Sequence, residues 1–66
     1  MIVSNLKKLM LERKITIRKM ESETFVSSNT ILKARSKDIN KCRLYTLEAI
    51  ARCLGCKVKD LFDEED

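Results

Sequence analysis

The chain has no proline, no tryptophan, no histidine and a single glycine, and its only aromatic residues are Phe25, Tyr45 and Phe62. So little turn-forming residue argues against β-sandwiches and barrels, which need many tight turns. An apolar content of 44% argues against disorder and leaves helices as the expected structure. The missing histidine removes the commonest general base and a frequent metal ligand. No apolar run approaches the roughly 20 residues needed to cross a bilayer, and the apolar part of Met1–Lys8 is too short for a signal peptide, so a cytoplasmic protein without membrane partners is expected. The three cysteines are an odd number that makes a poor disulfide framework. Cys53 and Cys56 have the two-residue spacing of a redox or half-metal motif, yet only Cys42 remains to join them where zinc wants about four ligands. Structural packing is the better reading, and no metal or cofactor is implied.

With 66 residues there is room for one hydrophobic core, so residues 1–66 are read as a single domain. At roughly 1.5 kcal/mol of ordering entropy per residue, folding is close to break-even and dimerisation would help. Charge is distributed unevenly. Residues 1–59 hold all 14 Lys and Arg against five acids, while the other five acids, Asp60, Asp63, Glu64, Glu65 and Asp66, crowd the last seven positions. A basic body with an acidic tail at 63–66 suits a partner rich in phosphate, although charge on a small domain is often only its solvated surface.

Apolar spacing predicts five helical segments. The first spans about 3 to 13, with Leu6, Leu9 and Met10 on one face. Thr16 is positioned as the N-cap of a second, Ile17 to Thr24, whose chief inward residue is Met20. Ser27 caps a third, Ser28 to about Arg35, with Ile31 and Ala34 inward. A polar, basic loop from Ser36 to Arg43 leads to the fourth, Leu44 to Leu54, striped by Leu47, Ile50, Ala51 and Leu54 and closed by Gly55 as a left-handed stop. Val58, Leu61 and Phe62 mark a short fifth. Only Thr24-Phe25-Val26 bridges the second and third segments, too little for a relaxed loop. Two short helices joined so tightly form a helix-turn-helix over about residues 17–35, in which the second can enter a DNA major groove about 12 Å wide.

The order Leu6-Lys7-Lys8-Leu9-Met10, Glu12-Arg13-Lys14-Ile15-Thr16, Glu23-Thr24-x-Val26-Ser27-x-Asn29-Thr30-Ile31 and Thr46-Leu47-Glu48-x-Ile50-Ala51-x-x-Leu54-Gly55-Cys56-x-Val58-x-Asp60-Leu61-Phe62 resembles the Cro/C1-type, XRE-like helix-turn-helix regulators of phages and mobile elements. The resemblance covers nearly the whole chain. It implies an all-α, five-helix, lambda-repressor-like domain and a transcriptional regulator, a repressor first, that binds double-stranded DNA. Three positions depart from the family pattern: Ile17 stands where Gln is usual, Glu21 where a small Ala sits at the helix crossing, and Phe25 where the turn has Gly. An unpaired, buried Glu21 would cost several kcal/mol, so it must reach solvent or pair with a base such as Arg18 or Arg52. Phe25 must avoid the left-handed region or accept strain of about 1 to 2 kcal/mol.

The resemblance puts the third helix in the major groove, where Ser28, Asn29, Leu32 and Lys33 face away from Ile31 and Ala34. Asn can pair with adenine N6 and N7, Lys can donate to guanine O6 or N7, and Leu32 can meet a thymine methyl. Phosphate contacts are expected from Arg18, Lys19, Arg35, Lys37, Lys41 and Arg43, helped by amides at the starts of the second and third segments. So short a reading helix touches few base pairs, which predicts a homodimer on an inverted-repeat site. The dimer contact is expected at Leu44 and Tyr45, away from the acidic tail. Nothing resembles a catalytic constellation: there is no His, no glycine-rich phosphate loop and no pair of carboxylates spaced across a cleft. The rival reading is a protein-binding module on an altered helix-turn-helix scaffold, antirepressor or antitoxin-like, favoured by Ile17, Glu21, Phe25 and Leu32.

Overall fold

The computed structural model describes residues 1–66. In chain order it has strand β1 (Ile2–Ser4), helices α1 (Leu6–Glu12), α2 (Ile17–Thr24) and α3 (Ser28–Ala34), a 3-10 turn at Lys37–Lys41, helix α4 (Leu44–Leu54), a second 3-10 turn at Val58–Leu61 and strand β2 (Phe62–Glu64). The five-helix expectation is therefore corrected. Four segments are α-helices, the fifth is a single 3-10 turn, and the two ends of the chain pair as an antiparallel sheet with Ile2 opposite Glu64 and Ser4 opposite Phe62. The physical reason lies in length and in residue type. Val58–Leu61 is too short for α-helical nucleation to be favourable without tertiary support, while Ile2, Val3 and Phe62 are β-branched or aromatic residues that suit a strand.

The sheet also corrects the start of the first helix and the acidic tail. Residues 3 and 4 are extended, and Ser4 Oγ accepts the Leu6 N–H at 3.2 Å and donates to the Ala34 carbonyl, tying the entry of α1 to the end of α3. Asp63 and Glu64 belong to β2, and the Asp63 carboxylate accepts a hydrogen bond from the Asn5 side-chain amide at 3.0 Å. α3 ends at Ala34, with Arg35 as its cap.

Eleven apolar residues form one core, among them Leu6, Met20, Ile31, Ile50 and Leu61, all with no exposed surface. Every helix contributes to it because each carries its apolar residues at three- and four-residue spacing. The segment between α3 and α4, read from its composition as a polar loop, is a 3-10 turn that buries Ile39 to 1% exposure. Ser36 starts that turn by accepting the Asp38 N–H at 3.1 Å. α4 ends as its sequence predicts, with Gly55 left-handed at φ 72° and the Cys56 N–H returning to the Ala51 carbonyl at 3.0 Å. No helix is long and apolar enough to cross a membrane.

Candidate nucleic-acid interface

The helix-turn-helix is built by side-chain caps at both of its helix starts. Thr16 Oγ1 accepts the Lys19 N–H at 3.1 Å, and Ser27 Oγ accepts the Thr30 N–H at 3.3 Å. Each satisfies an amide that has no partner inside its helix. The turn between them is held by Thr24, whose hydroxyl donates to the Met20 carbonyl at 2.7 Å and accepts the Val26 N–H at 3.2 Å. Val26 is half-buried and packs on the core. These bonds hold Phe25 in the left-handed region, at φ 59° and ψ 19°, with its ring 94% exposed. Of the two options open to Phe25, the chain takes the strained one.

Glu21 takes a course that neither sequence expectation described in full. It is exposed, it pairs with neither Arg18 nor Arg52, and its Oε2 accepts the Ser28 N–H at 2.8 Å. A carboxylate at the start of α3 satisfies an orphan amide and matches the positive end of the helix dipole. The same bond withdraws the Ser28 amide from the set expected to meet phosphate, and the caps from Thr16 and Ser27 likewise occupy the Lys19 and Thr30 amides.

Asn29, Leu32 and Lys33 are exposed, Leu32 at 50%, and Ser28 is half-buried, whereas Ile31 and Ala34 on the other face are fully buried. The Asn29 side chain makes no hydrogen bond within the chain, so both its donor and its acceptor are free. The basic residues divide into groups. Lys33, Lys41 and Arg43 line one polar depression with Thr30 and Tyr45, while Arg35 and Lys37 line another beside β1. Arg18 and Lys19 are exposed in the first turn of α2. Lys41 pairs with Asp38 at 3.6 Å across an exposed turn, a contact weak enough to exchange for a stronger anion.

Leu44 and Tyr45 are neighbours in sequence but face different surroundings. Leu44, 64% exposed, lines an open apolar groove with Ile2, Val58 and Phe62. Tyr45, 66% exposed, belongs to the basic depression beside Lys33. The cysteines are half-buried against the core, and burial raises the pKa of all three thiols. For Cys53 the rise reaches about 11, from burial first and then from the hydrogen bond its thiol donates to the Glu23 carboxylate at 3.1 Å. A thiol so placed is a poor nucleophile and metal ligand at neutral pH.

Two capped helices across a three-residue turn, set on a shared core with a polar and basic outer face, define a helix-turn-helix domain. The family model described as the Cro/C1-type HTH DNA-binding domain matches residues 5–66, and the chain belongs to that family. Its members are DNA-binding regulatory modules without catalytic function. A comparison with curated proteins finds no match.

Proposed function

We propose that the chain is a sequence-specific DNA-binding transcriptional regulator, acting as a repressor, that inserts α3 into the major groove of an inverted-repeat operator. The observation that carries this reading is the outer face of α3. There Asn29 and Lys33 are exposed and Asn29 is uncommitted, while Lys33 shares its depression with Lys41 and Arg43. Ser28, Asn29, Leu32 and Lys33 read base edges in this proposal, and Arg18, Lys19, Arg35, Lys37, Lys41 and Arg43 neutralise the flanking phosphates. The bound form is a symmetric homodimer with half-sites roughly 34 to 36 Å apart, joined through contacts at Leu44 and Tyr45. Leu44 supplies the apolar part of that contact, since its groove is lined chiefly by hydrophobic side chains. Occupancy of such a site excludes other proteins from the same groove, which is the simplest route to repression.

Selection of duplexes from a randomised pool, followed by titration of the best duplex at several salt concentrations, tests the proposal. Enrichment of an inverted repeat bound by two chains supports it. A saturated site holding one chain and lacking inverted symmetry refutes the dimer. A protein-binding module is the second reading, favoured by the 94% exposure of Phe25 and the half-exposure of Leu32. Phe25 caps the end of α2 and Leu32 lies in the second turn of α3, with Ser28 and Asn29 between them in sequence, so they make a poor continuous apolar patch. Millimolar affinity for every duplex would favour that second reading.

A further inference from the structure

We propose that Glu21 reads cytosine: its carboxylate accepts a hydrogen bond from the exocyclic N4 amino group of one base in each half-site. The inference rests on the DNA-binding reading and adds a specificity residue that lies on α2, outside the reading helix. One carboxylate oxygen, Oε2, is held by the Ser28 N–H at 2.8 Å, which fixes the group at the leading end of α3 beside Asn29. The other oxygen, Oε1, makes no hydrogen bond, and no basic side chain pairs with Glu21. Helix-turn-helix proteins bring the leading residues of the second helix to the base edges, so an acceptor fastened there arrives at the groove with them.

The chemistry then narrows the choice of base. An ionised carboxylate only accepts hydrogen bonds. In the major groove guanine offers acceptors at O6 and N7 and thymine an acceptor at O4, both of which repel it. Adenine offers its N6 donor beside the N7 acceptor, whereas cytosine presents the N4 donor with no acceptor on its own groove edge. Cytosine is therefore the base a carboxylate prefers. Everywhere else along DNA the charge of Glu21 opposes the phosphates, so the same residue weakens binding to unmatched sequence and strengthens discrimination. Unlike a long, freely rotating surface Glu, this one is already positioned by the Ser28 amide and loses less freedom on binding.

The test is duplex selection and titration with the wild-type chain, Glu21→Gln and Glu21→Ala at one salt concentration. Gln retains an acceptor for the Ser28 N–H, and Ala is the small residue usual at this crossing; thermal melting verifies that both variants fold. The wild-type chain is expected to select cytosine at one position of each half-site and to bind about ten-fold more weakly when that base pair is changed from C·G to T·A. In Glu21→Gln, whose oxygen stays on the Ser28 N–H, the free amide group only donates and the preference moves toward the acceptors of guanine or thymine, and in Glu21→Ala it falls to about two-fold or less. If both variants keep the wild-type preference at every position and simply bind all duplexes more tightly, Glu21 is a helix cap and the assignment is overturned. A wild-type chain that selects no duplex refutes the DNA-binding reading itself, and a wild-type operator with no such cytosine refutes this assignment alone.

Discussion

Left-handed residues follow three helices of this domain, Lys14 after α1, Phe25 after α2 and Gly55 after α4, and the last two reach that conformation by opposite means. α4 ends on Gly55, at φ 72°, where the absence of a Cβ makes the conformation cheap. α2 ends on Phe25, at φ 59°, where a bulky side chain meets a carbonyl oxygen at a cost of roughly 1–2 kcal/mol. Burial does not offset the cost, because the Phe25 ring is almost wholly exposed. Local polar bonds do: the Thr24 hydroxyl, the Ser27 cap and the Glu21 carboxylate together satisfy the amides of Val26, Thr30 and Ser28. The scaffold end follows the family pattern, and the departures from that pattern gather in the helix-turn-helix. The helix-turn-helix thus holds both a strained residue and a carboxylate without an ion-pair partner, in the part proposed to meet DNA, where binding specificity gives them a use.

Both regions draw on one core, so core truncation has the largest expected effect on each. Ile31 on α3 and Ile50 on α4 are both fully buried in the same cluster. Ile31→Ala and Ile50→Ala are each expected to lower global stability by about 2–5 kcal/mol in denaturant unfolding. Single, cooperative transitions are expected for both. A two-step transition in Ile31→Ala alone would show that the helix-turn-helix melts apart from the scaffold.

Asn29→Ala comes next, and it sharpens the functional side of the contrast. It should weaken binding to the selected duplex by about 1–3 kcal/mol and relax preference at one base pair. Lys37→Ala, by contrast, should weaken all sequences alike and reduce the salt slope by about one. Equal loss on every sequence for Asn29→Ala would remove that residue from the reading set.

The two helix ends themselves give smaller effects of opposite sign. Gly55→Ala adds a Cβ that meets nothing within 4 Å, so its cost is conformational, about 1–2 kcal/mol. Phe25→Gly relieves a similar strain but makes the unfolded chain more flexible, leaving a net gain of about 0.5–1 kcal/mol in thermal unfolding. Loss of stability in Phe25→Gly would mean that the exposed ring makes a contact of its own.

The smallest effect concerns Cys53. Its folded pKa of about 11 lies above the ordinary 9.0, so the neutral thiol is the form the fold favours. The stability this contributes is complete below about pH 9 and is lost as pH rises toward 11. Alkylation at pH 8 should accordingly be far slower in the native chain than in denaturant. Equal rates in the two states would place the Cys53 thiol in water.

Much of this architecture was legible in the residues themselves, and the exceptions have identifiable causes. α2 and α4 match their expected limits because Thr16 and Gly55 are strong end signals and Met20, Leu47, Ile50 and Leu54 repeat at helical spacing. The sheet is not legible in the sequence because its strands are three residues each and come from opposite ends of the chain, a pairing that no local pattern announces. Ile39 was hidden by composition: one apolar residue among Lys37, Asp38, Asn40 and Lys41 reads as loop, yet it is fully used by the core. At the candidate site, side-chain direction on α3 followed from periodicity. The Glu21–Ser28 bond did not, since it joins residues seven apart across a turn whose path depends on Phe25.

A DNA interface formed by α3 and its basic surroundings must respond to salt, which titration of the selected duplex between 50 and 200 mM salt measures. With about six phosphates neutralised per chain, log affinity is expected to fall with log salt at a slope of about −5 for each chain bound. An affinity that stays unchanged over that range, or that is millimolar for every duplex at the lowest salt, would contradict the account.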